Sequence, residues 1–205
     1  MRRHDFFQTP IWIDKLNIDN NKLINEMKIF QKNNIGTSVS NAGGYQGQNF
    51  FNQELNDNIL RTIPKNSKEL NISHIHFWIN INKKGDSNGR HAHGPYSPIF
   101  LCGVYYAKVP KNSGRFKFYD PRGSWMQSMS EYIYYDDGYI DYNITPQDGM
   151  IILFPSWLEH SVEENKSDDE RITVAFNIML DKKNDYGRQK WFMCSDNSVL
   201  GHLDS

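Results

Sequence analysis

A mainly β chain with a smaller helical part ahead of it is the fold class this sequence predicts, and three observations predict it. From about residue 73 to 180, short runs rich in β-branched and aromatic residues recur between turn residues, the pattern of a sandwich or barrel. Across residues 1–72, by contrast, two stretches carry apolar residues at helical spacing. At 205 residues and 24.0 kDa the chain is long enough for one domain with a substantial core and short for two. The expected organisation is therefore one domain over 1–205, with helical support in 1–72, a β core over 73–180 and a polar tail over 181–205.

The elements follow in chain order. Phe6 to Ile13 alternates weakly around Pro10 and suggests an edge strand or extended arm. Asp19 or Asn20 can cap a helix reaching about Lys32, with Leu23, Ile24, Met27 and Phe30 on one face to pack on a sheet. The Gly-, Ser- and Asn-rich stretch 33–49 has no apolar period and reads as a loop. A second helix from about Asn52 to Thr62 stops ahead of Pro64, because proline disfavours helix in the residue before it. The strands expected after that are Ile75–Asn82, Ile99–Val109, Arg115–Tyr119, Tyr139–Ile144, Met150–Phe154 and Arg171–Leu180. Turn residues separate them at Lys84-Gly85-Asp86, Asn112-Ser113-Gly114, Asp136-Asp137-Gly138 and Gln147-Asp148-Gly149.

Bulk properties narrow the function. With 23 Lys+Arg against 24 Asp+Glu and a pI near 6.6, nothing favours non-specific nucleic-acid binding or an anionic membrane. No apolar run approaches the roughly 18 residues that span a bilayer, and Met1 to Gln8 does not resemble a signal peptide, so a cytoplasmic protein is expected. Cys102 and Cys194 are the only cysteines and lack zinc-finger spacing; Cys102 sits in an apolar run where a thiol behaves as a small hydrophobe.

Four residues carry the candidate chemistry. His91 and His93 are two apart, which on an extended chain turns both imidazoles to one face, where a metal can take both. His160 follows the apolar run Ile151 to Phe154 and the turn at Pro155, at the start of the next strand, a position from which a barrel can deliver a third ligand. Neutral imidazoles suit iron, zinc, copper and nickel alike, so the donors alone do not choose the metal. Arg171 opens an otherwise apolar strand. A guanidinium facing into a barrel must find an anion, and a planar carboxylate matches its fork; the alternative is surface pairing with Asp168, Asp169 or Glu170.

Taken in this order, His91, Tyr106, His160 and Arg171 resemble the 2-oxoglutarate and Fe(II)-dependent dioxygenase superfamily. More closely, Phe7-Gln8-Thr9-Pro10, Gly85 to His93, Ser97 to Tyr106, Phe118-Tyr119-Asp120-Pro121-Arg122, Phe154-Pro155-Ser156-Trp157 with His160, and Arg171 to Asn177 resemble a bacterial and phage-associated branch of it. The resemblance covers about the first 180 residues. It implies a double-stranded β-helix of jelly-roll type with the helices packed on one sheet. It also implies Fe(II) as cofactor and 2-oxoglutarate as co-substrate, with release of succinate and CO2 and hydroxylation as the commonest outcome, halogenation and desaturation being the alternatives; a protein side chain, a nucleobase, a lipid precursor or a small metabolite each fits as substrate. By the same resemblance His91 and His160 bind the metal, Arg171 binds the distal carboxylate of 2-oxoglutarate, and Thr173 and Tyr106 assist. Asn80 and Asn177 sit on strands that can face the site.

His93 departs from the pattern, because most of the superfamily has an acidic ligand there. Three imidazoles would leave the metal more electrophilic and more weakly held unless an outer carboxylate compensates. Asp120 is the candidate for that carboxylate, or for the ligand itself in place of His93; as Asp120-Pro121 it also suits a turn. Trp78, Tyr96, Phe118 and Trp157 are candidates to line the pocket. Residues 33–49 and 123–137, the latter with Trp125, Met126, Met129 and Tyr132, are candidates for a lid. Two rival functions remain: a non-catalytic β-barrel binding module that a metal stabilises, and a three-histidine dioxygenase that does not use 2-oxoglutarate.

Overall fold

The computed structural model describes residues 8–64, 71–93, 98–122 and 141–181. Among these described residues two helices and eleven strands follow in the order β1 (Trp12–Lys15), α1 (Asn20–Asn33), β2 (Asn41–Ala42), β3 (Tyr45–Gln48), α2 (Gln53–Thr62), β4 (Ile72–Asn82), β5 (Ser87–His91), β6 (Ile99–Lys108), β7 (Phe116–Tyr119), β8 (Asp141–Ile144), β9 (Met150–Pro155), β10 (His160–Val162) and β11 (Arg171–Leu180). They form two antiparallel sheets, a six-stranded one ordered β1-β9-β6-β11-β4-β3 and a five-stranded one ordered β2-β5-β10-β7-β8. This is the double-stranded β-helix, with both helices against the six-stranded sheet. Among the described residues, no helix is long and apolar enough to cross a membrane.

Period-two alternation decides what each face of the larger sheet does. On β11, Ile172, Val174, Phe176 and Ile178 point one way, into a core completed by Leu23 and Met27 of α1 and Leu55 and Ile59 of α2. Each of these fully buried apolar side chains contributes roughly 1.5–3 kcal/mol. The helices begin where their caps say. Asp19 accepts from the Lys22 N–H at 3.1 Å and Asn52 from the Leu55 N–H at 2.8 Å, each satisfying an N–H that the first turn leaves without a partner. Tyr105 ties α1 to β6 by donating its hydroxyl to Asn20 Oδ1 at 2.6 Å.

The opposite face of the same sheet looks toward the five-stranded sheet. There Cys102, Val104, Tyr106, Ile152 and Phe154 meet Phe116 and Phe118 of β7 in a second, smaller core. Burial among these side chains raises the Cys102 thiol's pKa, which keeps it protonated and inert.

The structure departs from the sequence expectation in three places. Residues 33–49 are not only loop: β2 and β3 lie within them, and Gly43 and Gly44, at φ 75° and 70°, make the left-handed turn that carries the chain from one sheet to the other. Neither strand alternates, because its pairing comes from β5 and β4 and not from an apolar face of its own. Strand β5, Ser87-Asn88-Gly89-Arg90-His91, is equally polar and was not expected as a strand. The N-terminal edge strand begins at Trp12, after Pro10, and pairs with β9. The expectations for Tyr96, for the lid segment 123–137, for residues 139–140 and for the tail beyond Asp181 lie outside the described residues.

Candidate active site

Convergence of the three histidines follows from strand pairing. His160 opens β10, between β5 and β7, and its direct partners across the two ladders are His91 and Phe118. Residues 69 apart in sequence thereby become neighbours, with ring centroids 4.3 Å apart. His93, two residues past His91, donates its backbone N–H to the Ser156 carbonyl at 2.9 Å, which carries its ring back over the same spot; its centroid lies 5.3 Å from each of the other two. One ring nitrogen from each histidine lies within 4.8 Å of the others, so the three form a group able to hold one metal ion. Outside the cluster, Arg90 pairs with Glu159 and lies 4.1 Å over the Tyr119 ring, clasping β5 to its neighbours beside His91.

Backbone carbonyls set the imidazole tautomers. His91 Nδ1 lies 2.8 Å from the Gly89 carbonyl and His160 Nδ1 2.9 Å from that of Leu158. Since a carbonyl only accepts, each Nδ1 carries the proton and each Nε2 keeps its lone pair for a cation. Burial is the main reason the His160 pKa falls to about 3; the nearby His91 pushes the same way, the Leu158 carbonyl opposes, and His93 adds a smaller push. Burial likewise brings His93 down to about 4, helped by His91 and opposed by Asn177. Asn177 Oδ1 favours the charged His93 ring from nearby without the geometry of a full hydrogen bond. Both rings are therefore neutral, the form in which a metal takes them.

These two depressed values make the metal-free protein acid-sensitive. An unfolded imidazole binds its proton near pH 6.5, whereas folded His93 and His160 resist until about pH 4 and 3. The unfolded state thus binds more protons throughout that interval. The two groups' contribution is fully present above pH 6.5 and is lost as pH falls toward 4, by about 1.4 kcal/mol per pH unit for each group. Thermal melts of chelator-treated protein between pH 6.5 and 5, above the range where carboxylates titrate, should show a falling Tm, and His160→Gln should flatten the slope. A Tm that rises on acidification contradicts this.

Arg171 sits across the same cavity. It opens β11 opposite Asn82 of β4, is 1 % exposed, and donates from Nη1 to the carbonyls of Ser113 and, at 3.1 Å, Glu163. Surface pairing does not occur. Asp168 pairs with Lys84, Asp169 with Lys108 and Glu170 with Lys28, so each neighbouring acid already has its own lysine. Among the described residues, nothing accepts from the buried Arg171 Nη2. Burial lowers the guanidinium's pKa below its ordinary value, an effect only partly offset by Tyr106 and Asp86. Tyr106, fully buried one strand away, likewise has a hydroxyl without a partner, and Thr173 stands beside it in the ladder. The buried Arg171 Nη2 and the buried Tyr106 hydroxyl, each lacking a partner among the described residues, fit a planar carboxylate.

The inner face of the six-stranded sheet reads as cross-strand rows. Asn82 and Arg171 form the first, Gln46, Asn80, Thr173 and Tyr106 the second, Gln48, Trp78, Ala175 and Val104 the third, and His76, Asn177 and Cys102 the fourth. A cavity of about 510 Å³, mouth included, runs from Arg171 past Asn80, Thr173 and Tyr106 to the three histidines. Trp78 stacks on His93 at 5.9 Å. Phe116, Phe118 and Phe154 surround His160. Trp157 is half exposed and stands outside the cavity lining.

Asp120 lies past the end of β7, with its carboxylate taken by the Arg122 backbone N–H and guanidinium, which hold its pKa below the usual range. It is not a member of the three-histidine group. Asp120→Asn should therefore leave Zn(II) affinity within about twofold and cost at most about 1 kcal/mol, as for an exposed ion pair. Competition with a chromophoric chelator and a thermal melt measure the two quantities; metal affinity weaker by about 10- to 100-fold would make Asp120 an outer partner of the metal, and a larger loss would make it a ligand.

Fold and site together define a double-stranded β-helix with three histidines able to hold a metal ion and a buried arginine whose Nη2 lacks an acceptor among the described residues. Residues 76–177 match the family described as "Putative 2OG-Fe(II) oxygenase". The chain belongs to the 2OG-Fe(II) oxygenase family, whose metal is iron(II) and whose co-substrate is 2-oxoglutarate. Among curated proteins none matches it. Among solved structures, a Pseudomonas putida prolyl-4-hydroxylase is similar with TM-score 0.62 at 11% identity, over 83% of this chain and 92% of that one. A Trichoplax adhaerens prolyl hydroxylase, in complex with a hypoxia inducible factor peptide fragment, gives 0.59 at 13% identity over 82% and 83%. HygX from Streptomyces hygroscopicus, with nickel and 2-oxoglutarate bound, gives 0.57 at 10% identity over 83% of each. At these identities the likeness is one of fold.

Proposed function

We propose that this protein is an Fe(II)- and 2-oxoglutarate-dependent dioxygenase that hydroxylates a small molecule or a protein side chain, with release of succinate and CO2. In this reading His91, His93 and His160 hold the iron. Arg171 holds the distal carboxylate of 2-oxoglutarate, with Tyr106 and Thr173 beside it. The observation that carries the reading is the buried Arg171 Nη2 without an acceptor, in one cavity with three converging imidazoles. When bound, iron(II) supplies the site of oxygen activation and 2-oxoglutarate supplies two electrons through its oxidative decarboxylation.

The chain's own residues supply orientation. The Gly89 and Leu158 carbonyls hold His91 and His160 in the ligating tautomer, and the Ser113 and Glu163 carbonyls hold the Arg171 fork in place. The phenylalanines around His160 keep water from that side. Under this assignment the first sphere carries no negative charge, which supports the second reading, an oxygenase that dispenses with 2-oxoglutarate; the Arg171 Nη2 without an acceptor among the described residues favours the first.

Anaerobic addition of Fe(II) and then 2-oxoglutarate to the full-length protein should produce a weak visible absorption band that needs both additions. Air should then yield succinate. Absence of both band and succinate would reject the proposal, and oxygen consumption without 2-oxoglutarate would select the second reading.

A further inference from the structure

A second cleft, of about 630 Å³ with its mouth, opens on the side of the histidines away from Arg171 and shares Ser40, Trp78, His91 and His93 with the first cavity. Gln46 and Gln48 from β3, His76 from β4 and Asn177 from β11 supply its polar wall, the far part of the cross-strand rows. Among its described lining residues there is no Lys, Arg, Asp or Glu. With the metal's charge balanced by 2-oxoglutarate, a charged group entering here would lose water and meet no counter-charge among the described lining residues, at a cost of several kcal/mol. The first cavity differs, since it has Arg171.

Two of these side chains are buried without their due partners. Gln46 is 3 % exposed and Asn177 is 9 % exposed, and neither amide oxygen accepts a hydrogen bond among the described residues. A buried polar atom in a native fold nearly always has a partner, so two such atoms on residues that line one cleft mark positions that a ligand can satisfy. A primary amide sets an acceptor oxygen and donor N–H groups side by side, and its complement is another donor–acceptor edge of the same kind. Trp78 adds a flat apolar wall against His93. Burial, then the neighbouring His74, lowers the His76 pKa, so that ring is neutral at neutral pH as well.

We infer that this cleft takes the substrate and that the group it takes is an uncharged amide, a peptide segment or carboxamide whose N–H and C=O pair with Gln46 and Asn177 beside the metal. The inference rests on the proposed oxygenase function for calling that group a substrate; the amide chemistry of the cleft stands apart from it.

The test uses full-length protein loaded with redox-inert Zn(II) and 2-oxoglutarate, and ligand-observed saturation-transfer NMR. The probes are N-acetylalanine N-methylamide, N-acetylalanine as its carboxylate, alanine N-methylamide as its ammonium form, and uridine. The uncharged diamide should bind at least about tenfold more tightly than either charged analogue, and Gln46→Met should weaken it about tenfold, the worth of one hydrogen bond left unmade in a buried site. The same variant should keep the wild-type Tm and 2-oxoglutarate affinity, which separates loss of the cleft from loss of the fold. Equal or tighter binding of a charged analogue, no diamide binding, tighter binding of uridine, or indifference to Gln46→Met would each overturn the inference. Diamide binding in a protein that fails to bind 2-oxoglutarate would reject the oxygenase reading and leave the cleft's chemistry in place.

Discussion

Replacing Arg171 with alanine should weaken 2-oxoglutarate binding by roughly 100-fold or more, read as the Kd in an anaerobic titration of the Fe(II)-loaded protein. The size follows from burial. Removing one partner of a desolvated, charge-assisted pair typically costs 2–5 kcal/mol, because the other charge keeps its burial and loses its hydrogen bonds. Arg171 is 1 % exposed, and among the described lining residues of the cavity there is no other Lys or Arg to replace it. The alanine variant also strips the donor from the Ser113 and Glu163 carbonyls and should lower Tm by several degrees. Arg171→Lys separates the two effects: it keeps the charge but loses the fork, and should recover only part of the affinity. If the alanine variant binds 2-oxoglutarate as the wild type does, the co-substrate site lies elsewhere.

Loss of a metal-facing imidazole should be the other large effect. His160→Ala should reduce Zn(II) or Co(II) affinity by more than 100-fold, beyond the 10–100-fold that loss of an outer partner costs. His160 is the central member of the group: it is the direct cross-strand partner of His91 and the most buried of the three. His93→Asp moves the site the other way. It puts a carboxylate where related oxygenases have one, adds a negative charge to an otherwise neutral donor set, and should tighten Zn(II) binding if the shorter side chain reaches. His93→Ala provides the comparison, and equilibrium dialysis against a competing chelator resolves all three. Should His93→Ala bind metal like the wild type, His93 is a wall residue and the site has two histidine ligands.

How much of this was legible in the sequence depends on whether a residue's role leaves a side-chain signal. Strand β11 was readable from end to end, Arg171 to Leu180, because from Arg171 to Ile178 it alternates between a cavity and a core. The helices were readable from Asp19 and Asn52 and from the spacing of Leu23, Met27, Leu55 and Ile59. Strands β2, β3 and β5 were not: their residues are Asn, Gln, Gly and Ser, and neighbouring strands rather than an apolar stripe hold them extended. His91 and His93 were noticeable by spacing. Their meeting with His160 depends on ladder register, which no local pattern encodes, so the order of motifs along the chain had to stand in for it. The burial of Arg171 could be expected from the apolar strand it opens. Its hold on the Ser113 and Glu163 carbonyls could not, since backbone acceptors carry no residue signature. Gln46 lay in a stretch that read as loop, and nothing local marks its amide as inward-facing.

The alternation of β11 also has a mechanical consequence. Arg171 and Asn177 stand on one rigid strand, six residues apart, roughly 20 Å at the rise of an extended chain. That strand is a ruler between the anchor at one end and the amide beside His93 at the other, and helix packing on its reverse side locks the scale. Inserting one residue would send every odd-numbered side chain into the oily layer and every even-numbered one into the cavity. Exchanges at the Asn177 end leave the spacing untouched, so specificity is free to drift there while the Arg171 end stays fixed.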